Sequence, residues 1–255
     1  MSSPSISIII PVLNEAALVR SFLRHLREKI PGAEVIVVDG GSDDGTPDLC
    51  AGLADVVLSA PRGRARQMNA GAARAQGEVF WFLHADSRIP ATASAEMAGV
   101  MGERRNAGGC FRLRLPGREW IYRVSDSLGN IGVTLFGFAL GDHGIFCRRT
   151  AFLRAGGFPD IPLMEDAEFY RALRRFGKMR QVASEVTGNP RRYQELGPYR
   201  TTIYYVIILA LYVAGARIAT LISVYRRLTE GRPAKRTADY AASLPSARPP
   251  IVVSR

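Results

Sequence analysis

Two acidic residues, each at the end of a very apolar run, have the placement for chemistry on a phosphorylated substrate. Asp39 follows Val35–Val38 in EVIVVDGGSDDGT, and Asp86 stands in HADS after Val79–Leu83 in VFWFLHADS. Such runs, bounded by Gly and polar residues, read as buried parallel strands. Ligands of open α/β sheets bind beyond the carboxyl ends of those strands. One carboxylate there can hold a ribose or base edge. Another can hold a divalent cation whose shell is completed by diphosphate oxygens and water. His84 shares a face with Asp86 by i, i+2 spacing and is read either as a ligand or as a packed imidazole. Asp39 alone also fits a local turn, with Gly40, Gly41 and Gly45 supplying its tight backbone.

Between the two acids lies RGRARQMNAGAARA. Arg62, Arg64 and Arg66 at a helix start can meet phosphate through guanidinium forks and free backbone N–H groups. The other reading is a solvated basic face. Later, Glu165 and Asp166 open a helix after Gly156-Gly157-Phe158-Pro159. A carboxylate here can take a proton from an attacking hydroxyl; acids in a first helical turn also serve the helix dipole.

The elements that must position these groups follow from periodicity. Strands are predicted at 5–12, 34–38, 56–58 and 79–83, with a first helix after Asn14 that Pro31-Gly32 breaks, a short helix beginning near Thr46-Pro47 and a third at about 64–75. Asn14 is expected to cap the first helix. The order is βαβαβαβ, so a doubly wound, mostly parallel α/β sheet. The absence of G-x-G-x-x-G after the first strand, where the chain has PVLNE, argues against a dinucleotide site. Further on, strands are predicted at 110–115 and 144–148, flanking the apolar, Gly-rich stretch 131–140. A helix over 165–176 is expected to end at Gly177 as its C′ residue.

Of the 255 residues, 47% are hydrophobic and 22% charged, which excludes wholesale disorder. The net charge of +11 points to an anionic partner. No zinc-finger spacing or long basic run supports nucleic acid. Cys50, Cys110 and Cys147 are widely spaced and fit a reducing compartment. No cleavable signal segment is expected.

From 201 to 216 no side chain is charged, and after Arg217 a second such stretch runs from 218 to 225. Sixteen residues fall short of the ~20 that span hydrocarbon. Tyr204, Tyr205, Tyr212 and Tyr225, followed by Arg226-Arg227, suit an interfacial helix on anionic lipid; a buried helix and a true span are the alternatives. The expected organisation is a catalytic domain over 1–200, an apolar helical segment over 201–228 and a flexible tail over 229–255.

Taken together, IIIPVLNE, VVDGGSDDGT, RQMNAGAARAQGEVFWFLHADS and GDHGIFCRRTAFLRAGGFPDIPLMEDAEFYRALRRFGK resemble the family-2 glycosyltransferases of the GT-A fold, over residues 5–180. The resemblance implies that Pro11, Glu15 and Asp39 line a nucleotide pocket. It implies that Asp86 binds Mg²⁺ or Mn²⁺ through a D-x-D-type motif and that Asp166, in an E-D motif, is the catalytic base. Arg62, Arg66, Asn69, His84 and Glu165 are expected to contact substrate, and His143 of GDHG is a further candidate metal ligand. The chain departs from the family pattern in three places. His84 replaces the first acid of D-x-D, Asp39-Gly40 replaces a paired acid, and Arg191-Arg192-Tyr193 is the nearest substitute for Q-x-x-R-W.

The implied activity is inverting transfer of a sugar from a nucleotide-diphospho-sugar to an acceptor hydroxyl, with a lipid or isoprenoid acceptor compatible with the apolar C-terminal segment. The expected location is peripheral, on the cytoplasmic side of the cell membrane, or else the cytoplasm. The alternative is a sugar-nucleotide-binding protein without turnover at the membrane surface.

Overall fold

The computed structural model describes residues 4–117, 119–188 and 191–229. Seven strands form one sheet: β1 (Ile6–Val12), β2 (Glu34–Asp39), β3 (Val56–Ser59), β4 (Val79–Phe82), β5 (Asn106–Arg114), β6 (Phe146–Arg148) and β7 (Lys178–Thr187). Their order is β3-β2-β1-β4-β6-β5-β7. β6 runs antiparallel to both its neighbours, and every other pairing is parallel. The helices are α1 (Val19–Lys29), α2 (Thr46–Cys50), α3 (Arg64–Arg74), α4 (Ala93–Gly102), α5 (Trp120–Ile131), α6 (Arg149–Ala155), α7 (Glu165–Leu173), α8 (Arg191–Leu196), α9 (Pro198–Val213) and α10 (Ile218–Thr229). A π-helical turn, Gly132–Phe136, extends α5, and a 3₁₀ turn, Gly141–His143, precedes β6.

Both faces of the sheet are covered, which is why β1, β2 and β4 read as unbroken apolar runs. Strand alternation sends Ile8, Ile10, Val35, Val37 and Trp81 into one core with Leu23, Leu26 and Met97. Ile9, Ile36, Val38, Phe80 and Phe82 enter the other, with Met68 of α3 and Phe169 of α7. The chain winds one way from β1 to β3 and returns to place β4 on the other side of β1. The crevice therefore opens at the carboxyl ends of β1 and β4. β1 runs through Pro11 to Val12, as expected. Pairing with β4 ends at Ile9 and Phe82, so Pro11 lies beyond the rows that need a donor on that side.

Two terminal expectations are corrected. Asn14 caps no helix: α1 starts at Val19, and Asn14 sits at φ 54°. Its N–H donates to Ser42 Oγ and its Oδ1 accepts from the Asp43 N–H, lacing the β1 and β2 loops together. α7 ends at Leu173, before Gly177, and a Cβ on Gly177 would lie 2.8 Å from the Ala107 nitrogen.

Among the described residues, three helices follow β7. α9 covers 198–213 and a turn at Gly215 leads into α10. Among the described residues no helix is long and apolar enough to cross a membrane. Thr201, Thr202, Ile208 and Tyr212 of α9 face inward, while Ile203, Val206, Ile207 and Val213 face solvent. The expected tail, from residue 230 onward, lies outside the described residues.

Candidate active site

The loop after β2 is built around Asp39. Its carboxylate accepts from the N–H groups of Gly41 and Ser42 and from Ser42 Oγ. This is the local turn the residue types allow, and it fixes the loop beside β1, with the Gly40 N–H donating to the Val12 carbonyl. Glu15 N–H donates to Thr46 Oγ1 and Ala16 N–H to Asp44, so the two loops form one rim. Gln67 Nε2 reaches in from α3 and donates to the carbonyls of Val12 and Val38 at 2.9 and 2.8 Å. A Cβ on Gly40 would lie 3.0 Å from the Gln67 amide, so glycine in place of a second acid makes room for this bridge.

α3 has two working faces because i, i+3 positions coincide. Arg64 and Gln67 lie toward the crevice. Arg66 and Asn69 lie toward the turn before α7: Arg66 Nε donates to both oxygens of Asp160 at 3.0 and 2.9 Å. Asn69 uses both ends of its amide on the Phe158 backbone, donating to O at 2.8 Å and accepting from N at 2.9 Å. These two candidate substrate contacts therefore brace the turn. Phe158 stacks on Phe169 at 3.9 Å between ring centroids, and Phe82 of β4 meets both rings edge-on. Such pairs each contribute about 0.5–1.5 kcal/mol beyond area burial, and they fix α7 to the sheet.

α7 begins immediately after Met164, which is held at φ 67°, a left-handed conformation that costs a non-glycine residue about 1 kcal/mol. The turn delivers Glu165 and Asp166, both buried, to the end of β4. Asp166 Oδ2 accepts the Gly141 N–H at 3.0 Å, whereas Oδ1 has no hydrogen-bond partner among the described residues. A Cβ on Gly141 would stand 2.5 Å from His84 Nε2 and 2.7 Å from Asp166 Oδ2. Only glycine lets the imidazole and the carboxylate converge here. His84 Nε2 lies 3.9 Å from Asp142 Oδ1, and Asp142 is well exposed.

Charge in this cluster is tightly linked. Burial pushes the Asp166 carboxyl well above its ordinary range; neighbouring Glu165 adds to this and Arg64 opposes it. Glu165 is likewise raised by burial, against Arg64. Around Arg64 the surrounding protein disfavours charge, but Glu165, Asp166 and Asp142 outweigh that and hold it above its ordinary range. Its side chain nonetheless remains accessible along the cleft. His84 is lowered, first by burial and then by Arg64, while Asp142 and Asp86 pull the other way. Asp86, partly buried, is thus close enough to His84 to act on it.

His143 does not join this group, which corrects its expected role as a ligand. Its ring is fully buried, Nδ1 meets the Leu140 backbone, and Nε2 is turned toward Gly129 of α5. Burial lowers its pKa to about 4. Its neighbour Asp142 faces the site instead. Among the described residues no three His, Cys, Asp or Glu side chains gather as a closed metal site. Asp86 and Asp142, hard oxygen donors that both act on His84, are a set that suits Mg²⁺ or Mn²⁺ when substrate oxygens fill the remaining positions.

α8 crosses the mouth with three consecutive grips. Arg191 Nη2 lies 3.7 Å from Glu15 Oε1, Arg192 Nη1 donates to Tyr205 OH at 2.8 Å, and Tyr193 OH meets Ser125 Oγ at 2.6 Å. Arg192 is held above its ordinary range, by Tyr205 first and in part by Asp142. Sequence reasoning left Asp142 and Arg192 out of the site and set Arg64 aside in favour of Arg62 and Arg66. The helical face shared by Arg64 and Gln67 was the available signal. Asp39 and Pro11 sit at the adjacent strand ends, with β2 two strands, about 10 Å, from β4.

Comparison with known proteins places this geometry. One curated relative is the PGL/p-HBAD biosynthesis glycosyltransferase of Mycobacterium tuberculosis (strain ATCC 25177 / H37Ra), 34% identical over 112 residues, which is 40% of this chain and 44% of that protein. The chain spans less than half the length of the curated relatives it matches. Among solved structures it is similar to the mannosyltransferase PcManGT from Pyrobaculum calidifontis in complex with GDP-Man and Mn²⁺. That similarity has a TM-score of 0.59 and 16% identity, and covers 95% of this chain and 79% of that one. It is also similar to glucosyl-3-phosphoglycerate synthase from Mycobacterium tuberculosis in complex with Mn²⁺, UDP and glucosyl-3-phosphoglycerate. There the TM-score is 0.60 at 20% identity, covering 84% and 81% of the two chains. The fold is thus the GT-A arrangement. The sequence profile of glycosyl transferase family 2 matches residues 7–156, the stretch that builds the rim, the crevice and the Asp86 turn, and the chain belongs to that family.

Proposed function

We propose that the chain transfers a sugar from a nucleotide-diphospho-sugar to an acceptor hydroxyl, with inversion at the anomeric carbon and Asp166 as the base. The observation that carries this reading is the Asp166 carboxylate: buried, raised in pKa, tied through one oxygen to Gly141 and, among the described residues, unpartnered at the other. A base with a raised pKa holds an abstracted proton better near neutral pH than an ordinary aspartate does.

The donor's nucleoside would lie along the rim formed by Pro11, Glu15 and Asp39, and its diphosphate at the end of β4. Arg64 sits there with its charge reinforced, so it can balance the charge that builds on the departing diphosphate. A divalent cation held by Asp86 and Asp142 would supply further charge neutralisation to that leaving group. Support comes from the Mn²⁺ in the nucleotide complexes of the two similar structures. The acceptor hydroxyl would approach Asp166 Oδ1 and lose its proton as its oxygen attacks. One displacement with one base agrees with inversion.

A lipid or isoprenoid acceptor is supported by the surroundings of α7. Leu163, Met164 and Leu140 pack in one apolar cluster with Ile208, Tyr212 and Leu221 of α9 and α10, so the turn that carries the base is seated on the apolar C-terminal helices. Peripheral attachment at the cytoplasmic face of the membrane fits that, and three buried free cysteines fit a reducing compartment.

The test is a screen of UDP- and GDP-sugars with Mn²⁺, read by thermal shift and by release of nucleoside diphosphate. One donor is expected to raise the melting temperature and to be consumed. Donor binding with no release under any acceptor would favour the binding-protein reading.

A further inference from the structure

α5 with its π-helical extension and α9 lie side by side and run in the same direction. At their starts Trp120 meets Tyr199, ring centroids 5.9 Å apart; at their ends Phe138 meets Tyr212 at 5.3 Å. Each is about 25 Å long. Their inward faces are used: Ile121 and Tyr122 of α5, and Ile208 and Tyr212 of α9, are buried. Their outward faces are apolar as well. The π-helical turn lifts Leu135 to 73% exposure beside Phe136, with Ile131 exposed one turn earlier. On α9, Ile203, Val206 and Ile207 recur at helical spacing in solvent. An outward apolar band along two neighbouring helices exceeds the scatter of single exposed residues normal for a soluble surface.

Charge says what covers this band. Residues 198–229 contain four arginines, at 200, 217, 226 and 227, and no acidic residue. All four are exposed, and Arg200 Nη2 donates to the Arg227 carbonyl, drawing α10 alongside the start of α9. A second copy of the chain pairing symmetrically through this face would bring like charges together. A surface with negative headgroups over hydrocarbon complements both the band and its basic edge.

We infer that the paired outer faces of α5–π and α9, edged by the arginines of α9 and α10, dock on an anionic lipid bilayer, with the turn at Leu135 and Phe136 as a second insertion point beside α9. The docking face rests on the transferase reading only for its use, since it adjoins the apolar cluster that reaches Met164 ahead of the base.

The experiment is co-sedimentation of the full chain with vesicles of phosphatidylcholine alone and of phosphatidylcholine mixed equally with phosphatidylglycerol. Wild type is expected to sediment with the mixed vesicles and far less with the neutral ones. The double variant Leu135→Glu, Ile203→Glu, checked for folding by circular dichroism, is expected to lose about tenfold or more in vesicle affinity. Its thermal shift with the active donor should match wild type. Undiminished binding of the double variant overturns the inference, as does failure of wild type to bind either vesicle. A dimer in gel filtration that the double variant abolishes, without vesicle binding, would assign the face to a second copy. Should no sugar nucleotide bind while vesicle binding follows the expected pattern, the transferase reading fails and the docking face stands.

Discussion

The backbone N–H of Gly141 donates to Asp166 Oδ2 over 3.0 Å and so joins the 3₁₀ turn before β6 to the first turn of α7. The bond leaves the other carboxylate oxygen without a partner among the described residues. Because a Cβ here would crowd both His84 and Asp166 to under 3 Å, Gly141→Ala is expected to push them apart and cut turnover by about a hundredfold. Donor binding at the β1–β2 rim should change little. Steady-state kinetics beside a donor thermal shift check this, and unchanged turnover would mean that the convergence is idle.

With Asp166 as the proposed base, Glu165 and Asp166 are expected to set the pH dependence of the reaction. Asp166 must be ionised to accept a proton, so activity should rise with pH through a limb above about 4, the ordinary aspartate value. Glu165 adds to the elevation through its negative charge. Glu165→Gln is therefore expected to move the acid limb of kcat/KM to lower pH, and Arg64→Gln, which removes an opposing positive charge, to higher pH.

Arg64 and Arg66 are expected to separate by function although only one residue lies between them, since Arg66 pairs with Asp160 and Arg64 faces Glu165 and Asp166. Arg64→Gln is expected to reduce kcat/KM by about a hundredfold through loss of charge stabilisation at the leaving group. Arg66→Gln breaks a partly exposed pair with Asp160 and should cost at most about 0.5–1 kcal/mol of stability with activity retained. Equal losses of activity in both would place the diphosphate elsewhere.

His143 links stability to pH. In the folded chain it stays neutral down to about 4, whereas an unfolded histidine takes up its proton near 6.5. Stability from this group is present above 6.5 and is lost as pH falls toward 4, by about 3 kcal/mol in all. Urea titrations should show a shallower acid slope for His143→Gln than for wild type; matching slopes would contradict the assignment.

The sheet's first half was legible because β1, β2 and β4 are covered on both faces, which leaves uninterrupted apolar runs between glycines. β7 was not: it is an edge strand carrying Lys178, Arg180 and Glu185, whose charges hide its alternation. α5 was missed because its π-helical extension breaks the 3.6 period within an apolar, Gly-rich stretch. At the site, strand-end aspartates and the Glu165-Asp166 pair stood out by position. Whether Arg64 or Arg66, and Asp142 or His143, faces the crevice depends on which way a helix or a 3₁₀ turn faces, and one residue of rotation reverses it. Arg192 reaches the cleft through α8, a contact with no local signature.

If Asp166 accepts the acceptor's proton, Asp166→Asn removes that step while leaving the donor pocket intact. Under single-turnover conditions with a bound donor, the variant should keep the donor-induced thermal shift of wild type and lose about a thousandfold or more in transfer rate. A transfer rate within about tenfold of wild type, with donor bound, would contradict the account.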